Sequence, residues 1–388
     1  MKKKQSQKQS SHRKRGQKIC LNMIVKNESA VIRRCLESVK PFIQYWVIVD
    51  TGSTDGTQDI IKKYMKDIPG ELHEHPWVDF AHNRNIALEL AKDKGTYLLL
   101  IDADDVLEPT KRFVMPVLNK DLYYVVTKIS GVKYHEVKLV NTQLDWQWKG
   151  ALHEAIMCPE AKTHDTLENI YTIRHTDGAR AKDPERFARD VAILRAAVRK
   201  EPNNSRHVFY LAQTYNWEGK HKLALKYYTQ RTMMGGWAEE VFISLLQIAR
   251  VQEKLEMDPQ IIKKSYYKAF KYRPSRSEPL CYLACYCRKH GDYNAAYEAA
   301  RLGLSISFSK DYLLVEAWIY EYDMLLEYSL AAYGTERYTE ALIATDLLLS
   351  KPLPKHVREL VKKNRRTCQT QVHTRSHPKR LVRLLNNP

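Results

Sequence analysis

No stretch of this 388-residue sequence stays apolar for the length that a bilayer crossing requires. The basic N-terminus also lacks the apolar run of an export signal. A soluble, cytoplasmic protein is the expectation. Cysteine is sparse: seven residues, Cys20, Cys35, Cys158, Cys281, Cys285, Cys287 and Cys368, odd in number and scattered. That excludes a disulfide framework. Cys281, Cys285 and Cys287 cluster, but at a spacing that suits a helix rather than a zinc knuckle, so buried reduced thiols are expected. Acid is scarce at both ends. Residues 1–18 carry eight Lys/Arg and no acid, and residues 351–388 carry eleven Lys/Arg and one acid. The net charge of +18 therefore lies in the tails, and residues 19–350 are close to neutral. No specific nucleic-acid partner follows from tails alone. They either keep the protein in solution or make peripheral contact with an anionic surface.

What is present is the composition of a globular protein, 44% hydrophobic and 28% charged. Residues 1–17 have almost nothing to bury and read as a disordered basic tail. Residues 18–183 read as an α/β domain. Strands are expected at Lys18–Val25, Trp46–Val49 and Tyr97–Ile101, with helices from about Asn27 to Val39, over Thr57–Met65 and over residues 81–92. Strand and helix alternate as in a parallel, doubly wound sheet. Ligands of such sheets bind beyond the carboxyl ends of the strands. Three polar clusters follow strands directly: Lys26-Asn27-Glu28, Asp50 to Asp55, and Asp102-Ala103-Asp104-Asp105.

From Pro184 the pattern turns helical. Tyr210-Leu211-Ala212, Tyr215, Gly219 and Ala224 return as Tyr282-Leu283-Ala284, Tyr286, Gly291 and Ala296. Tyr210 to Tyr282 and Ala224 to Ala296 are each 72 residues apart, twice about 36, near the period of tetratricopeptide repeats. A weaker echo runs from Ala331-Ala332-Tyr333 to Ala341-Leu342. Residues 184–350 thus read as an irregular array of three to four helical units, and 351–388 as a basic C-terminal helix or tail. The array carries no visible catalytic set and suits acceptor or protein-partner recognition.

Asp102 and Asp104 sit on alternate positions at a strand end, where two carboxylates can hold one divalent cation. A solvated turn with Asp105 capping a helix would look the same. Asp50-Thr51-Gly52-Ser53-Thr54-Asp55-Gly56 is a tight turn that offers acceptors to a ribose or base, or merely caps the next helix.

These segments together resemble an inverting family-2 glycosyltransferase of the GT-A fold, in the subgroup with C-terminal tetratricopeptide repeats. The likeness runs in order through Met23–Glu28, Cys35–Val39, Val47–Thr57, Trp77–Asn85, Ile101–Asp105, Trp148–Glu154 and Ile173–Gly178. It implies a nucleoside diphosphate-sugar donor, UDP-sugar by default, and Mn²⁺ or Mg²⁺. Asp50, with Thr51, Ser53, Asp55 and nearby Glu28, would hold the nucleoside. Thr51 stands where many members have a second Asp. Arg84 would lie beside the nucleotide, Asp102 near the ribose, and Gly150 where backbone approaches the donor. Asp104, with Asp102 and His175, would meet the metal. Glu154 is the candidate base, with His153 as base or supporting group. The acceptor, a peptide, glycan or lipid, is left open. A scaffold that has lost activity is the alternative. A nucleotidyltransferase is disfavoured, because Val25-Lys26-Asn27-Glu28 offers no glycine to cradle phosphate.

Overall fold

The computed structural model describes residues 17–376. All but the last residue of the expected N-terminal tail, and residues 377–388, lie outside the described residues. The chain divides into two compact units. One runs to Val126 and takes in Glu136–Lys149 and Glu154–Lys182; the other comprises Thr127–His135, Gly150–His153 and the chain from Asp183 onward.

The first unit begins with β1 (Ile19–Val25), α1 (Ile32–Val39), β2 (Tyr45–Asp50), α2 (Thr57–Met65), β3 (Gly70–Glu74), α3 (Phe80–Ala91) and β4 (Tyr97–Leu100). The four strands are parallel, in the order β3-β2-β1-β4. Both faces of β1 are covered. Ile19, Leu21 and Met23 enter a core layer with Ile32, Leu36, Ile61 and Met65, whereas Cys20 joins Leu88, Ala91 and Leu98 in the other. Successive strand residues point to opposite faces, so a nearly continuous apolar run is what a doubly covered strand needs; the one polar residue of β1, Asn22, is buried and donates from Nδ2 to the Ala87 carbonyl at 2.6 Å. Helix α1 buries Ile32, Cys35, Leu36 and Val39, the one-sided stripe of a surface helix. It ends at Val39, and Pro41 lies in the 3₁₀ turn that follows. Helix α3 starts where the Asp79 carboxylate accepts from the His82 amide at 2.7 Å.

Beyond β4 come β5 (Asp105–Pro109), β6 (Leu122–Ile129), β7 (Val132–Asn141), the small antiparallel pair β8 (Gln147–Lys149) and β9 (Ala155–Met157), and β10 (His164–Arg174). The sheet continues from β4 as β7-β6-β10-β5, with β4–β7 and β10–β5 antiparallel. Asp105 therefore opens a strand and caps no helix.

The second unit holds helices α4 (Arg186–Lys200), α5 (Ser205–Trp217), α6 (His221–Met233), α7 (Ala238–Lys254), α8 (Pro259–Tyr272), α9 (Glu278–Lys289) and α10 (Tyr293–Leu304). After a short strand, β11 (Val315–Glu316), follow α11 (Met324–Gly334), α12 (Tyr338–Leu349) and α13 (Lys355–Ser376). Helices α5 to α12 form four antiparallel hairpins, each closed in the same way. A left-handed residue, Gly219, Glu256, Gly291 or Glu336, ends the first helix. The next amide then reaches back five residues: Lys220 to the Tyr215 carbonyl, Met257 to Gln252, Asp292 to Cys287 and Arg337 to Ala332. That is the usual way to satisfy orphan carbonyls at a helix end. The sequence echo between Gly219 and Gly291 is this turn repeated.

Candidate functional site

Strand β1 lies between β2 and β4, so the polar clusters after these three parallel strands meet at one edge. The first two loops are stitched together. Asn27 adopts a left-handed backbone at φ 56°, and its amide donates to Ser53 Oγ at 2.8 Å while its Oδ1 accepts from the Thr54 amide at 2.8 Å. The Glu28 amide donates to Thr57 Oγ1 at 2.9 Å, and the Ser29 amide to Asp55 Oδ2 at 3.0 Å. Burial pushes the Asp55 carboxyl up, but the hydrogen bonds from Thr57 and Ser29 outweigh it and bring the pKa down to about 2. Ser53 and Asp55 thus brace the loops. Thr51 turns inward, its hydroxyl donating to the Val25 carbonyl at 3.0 Å.

Asp50 differs from its neighbours. It is fully buried, and Oδ1 accepts the Gly52 and Ser53 amides at 2.8 and 2.7 Å. Oδ2 is buried and has no hydrogen-bond partner. A buried acceptor left over at a strand end is costly unless a ligand uses it.

Glu28 and Asp104 approach each other across Gly178. A Cβ at Gly178 would stand 3.1 Å from both Glu28 Oε2 and Asp104 Oδ2. Burial, then the charges of Asp105 and Asp102, push Asp104 up to about 6. Burial also pushes Glu28 up to about 7; the Ala179 amide opposes this, and Asp104 adds to it. Two carboxylates that resist ionisation side by side are what a divalent cation with oxygen ligands would relieve. Arg34 secures the loop that carries Gly178, with NH1 and NH2 donating to the two oxygens of Asp177 at 2.9 and 2.6 Å. His175 lies on the same segment, between Arg174 and Asp177. Among the described residues, no group of three His, Cys, Asp or Glu side chains is already gathered as a metal cluster.

Asp102 faces arginines instead. Arg84, on α3, donates from NH2 to Asp102 Oδ1 and from Nε to Glu154 Oε1, both at 2.6 Å. Its guanidinium lies 5.0 Å from the centre of the Trp148 ring. Asn85 locks the Trp148 backbone with two hydrogen bonds, at 3.0 and 2.8 Å. Burial opposes ionisation of Asp102, yet Arg84, Arg174 and Lys138 hold its pKa well below the usual carboxylate range.

Sequence reasoning assigned no role to the support behind Asp102. Arg174 NH2 reaches Asp102 Oδ2 at 3.3 Å, Asp105 Oδ2 at 2.9 Å and Glu136 Oε1 at 3.1 Å. Lys138 reaches Glu136 Oε2 at 3.0 Å. Arg174 and Asp105 are cross-strand partners in the β10–β5 register. The available signal was a cation and an acid at the ends of two strands, which becomes meaningful only once the pairing is known.

Gly150 and His153 belong to the second unit. Gly150 takes φ 123°, a conformation only glycine adopts freely. The His153 ring stacks on Tyr210 at 4.1 Å, and its carbonyl accepts from Arg206 NH2 at 2.9 Å.

The sequence model of "Glycosyl transferase family 2" matches residues 20–172, from β1 into β10. The SPbeta prophage-derived glycosyltransferase SunS of Bacillus subtilis is 39% identical over 89 residues, 23% of this chain and 20% of that protein. The lipopolysaccharide core biosynthesis glycosyltransferase LpsC of Rhizobium meliloti is 35% identical over 101 residues, 26% of this chain and 34% of that protein. The chain thus spans about a fifth and about a third of the length of these two relatives. A tetratricopeptide repeat protein from Parabacteroides merdae aligns with 50% of this chain and 69% of its own, at 16% identity and a TM-score of 0.37.

Proposed function

We propose, from the premise that residues 20–172 are a glycosyl transferase family 2 domain, that the chain moves a sugar from a nucleoside diphosphate donor to an acceptor with inversion. One observation supports this most: a buried, unpartnered Asp50 oxygen lies one strand from Glu28 and two from Asp104, at the edge where open parallel sheets bind ligands. Asp50 would accept from the nucleoside. Arg84, already polarised by two carboxylates, would face the donor's negative charge. Glu154 would take the acceptor's proton as the acceptor oxygen attacks the anomeric carbon opposite the leaving diphosphate. Its carboxylate is oriented by Arg84, whose Nε donates to Glu154 Oε1 at 2.6 Å.

Asp104, with Glu28 beside it, would hold Mn²⁺ or Mg²⁺, and such an ion supplies charge compensation for a departing nucleoside diphosphate. Much of the rate enhancement would come from placing donor, acceptor and Glu154 together. UDP-sugar is the donor to try first. The acceptor would be chosen with the help of the helical array.

Calorimetric titration of UDP, with and without Mn²⁺, against the protein and Asp104→Ala tests the donor site. Mn²⁺-dependent binding that the variant loses is expected. Failure of UDP, GDP and the other nucleoside diphosphates in both conditions would overturn the reading and leave a scaffold.

A further inference from the structure

Helix α13 carries seven Lys/Arg and one acid in its 22 residues. Val357, Val361 and Cys368 are its buried residues among those whose side chains are described, and Val357 and Val361 pack with Leu326 and Leu348. At 100° per residue, Lys355, Lys362 and Arg366 fall together on the opposite side of the helix, and all three are exposed. Lys355, Lys363 and Arg366 make no ion pair among the described residues. The neighbouring outer surface is apolar where solvent would favour polar residues: Ile343 and Leu347, one turn apart on α12, are 55% and 53% exposed. The ion pair between Arg365 and Asp346 ties these two outer surfaces together.

We infer that the α12–α13 face docks on an anionic lipid bilayer, with the cations over the headgroups and Ile343 and Leu347 entering the boundary below them. Cations and exposed aliphatics in one surface are the signature of an interfacial contact. Each component suits the bilayer: the cations are drawn by anionic headgroups, and the aliphatics leave water. A nucleic acid would use the cations but gain nothing from isoleucine and leucine, because base recognition at such surfaces calls for aromatic stacking. Among the described residues no helix is long and apolar enough to cross a membrane, so the contact is peripheral. The inference is independent of sugar transfer.

Co-flotation of the full chain with vesicles of phosphatidylcholine, alone or enriched in phosphatidylglycerol, is the test. The protein is expected to float with the anionic vesicles and not with the neutral ones. Lys355→Glu with Lys362→Glu and Arg366→Glu should lower partitioning by roughly tenfold or more. Ile343→Ser with Leu347→Ser should lower it too and leave the residue of binding more salt-sensitive. Circular dichroism checks that the variants are folded. If the triple charge reversal unfolds the chain, Lys362→Gln with Arg366→Gln replaces it. Three outcomes overturn the inference: no flotation with anionic vesicles, flotation indifferent to the charge variants, or flotation indifferent to the serine variants together with tighter binding to an RNA homopolymer.

Discussion

Arg84 Nε donates to Glu154 Oε1 at 2.6 Å while the same guanidinium holds Asp102 Oδ1 at 2.6 Å. The side chains of Arg84 and Glu154 are only 15% and 9% exposed. Removing the cation would strand a buried carboxylate, which is far more costly than the net worth of the pair. Arg84→Ala is expected to lose about 3 kcal/mol of stability, the low end for such a loss because Asp102 keeps Arg174. Arg84→Lys should recover part of that loss but not the two-sided geometry, since an ammonium lacks the fork. Urea unfolding measures both; an unchanged midpoint in Arg84→Ala would mean that the two bonds are not made in solution.

Gly178 has nothing to spare on the side facing the two carboxylates. A methyl group there would lie 3.1 Å from Glu28 Oε2 and from Asp104 Oδ2, so both carboxylates must move by a few tenths of an ångström. Gly178→Ala should weaken Mn²⁺-dependent UDP binding by roughly tenfold, because small misplacements at a charged site are expensive. Its melting temperature should barely change. Calorimetry beside a thermal melt separates the two effects; full affinity in the variant would remove Gly178 from the site.

Before Tyr97, β1, β2 and the three helices were legible because each is a strong local pattern, such as the seven apolar-rich residues of β1 or the Thr57–Met65 stripe, although α1 begins at Ile32 rather than near Asn27; β3, Gly70-Glu71-Leu72-His73-Glu74, has no such pattern and was missed. The gathering of Glu28, Asp50, Asp102 and Asp104 at one sheet edge was legible because each stands at or just after the end of a parallel strand. The support behind them was not. Arg174, Glu136, Lys138 and Asp105 come together only through the β7-β6-β10-β5 pairing, and register is a long-range property. The bracing contacts of Thr51, Ser53 and Asp55 were not legible, because a turn that binds and a turn that braces use the same residue types. The repeat was half visible for a similar reason. Gly219 and Gly291 announce their turns, whereas Glu256 and Glu336 fill the same backbone position with a residue that gives no such signal.

Glu256 sits at φ 49°, where a side chain costs about 1 kcal/mol relative to glycine. Glycine gives back some of that through its looser unfolded state. Glu256→Gly is therefore expected to stabilise the chain by up to about 1 kcal/mol. Denaturant unfolding checks this; a destabilised variant would show that the Glu256 side chain holds the turn by contacts that outweigh its backbone.

Asp323 supplies a pH dependence in the second unit. Burial and the Glu327 charge raise its pKa to about 6, above the ordinary aspartate value near 4. The fold therefore prefers the protonated form. Its contribution is intact at pH 4 and is lost as the pH rises through 6. Asp323→Asn should match the parent near pH 4 and exceed it at pH 8 by on the order of 1–3 kcal/mol. The amide oxygen can still accept from the Cys281 thiol, which now lies 3.6 Å from Asp323 Oδ2. Melting curves across that pH range decide it, and a variant less stable at pH 8 would contradict the sign.

His153 and Glu154 are adjacent in sequence, and either could be the acceptor base on chemistry alone. Their surroundings separate them. The His153 ring is stacked flat on Tyr210 with an interplanar angle of 14°, its backbone sits at φ 53°, and its carbonyl is held by Arg206. That is the environment of a residue fixing a chain turn. Glu154 presents a carboxylate to Arg84, which also holds Asp102 at the edge of the sheet. A base must be aimed at the acceptor, and the Arg84 guanidinium fixes the direction of the Glu154 carboxylate. Glu154→Gln should lower transfer by about 10²- to 10⁴-fold, the usual size of a general-base contribution, while UDP binding stays near the parent value. His153→Asn tolerates the left-handed backbone and should retain transfer within a few-fold. Single-turnover transfer from a radiolabelled UDP-sugar, beside UDP titration, distinguishes the two. A large loss in His153→Asn with little change in Glu154→Gln would reverse the assignment.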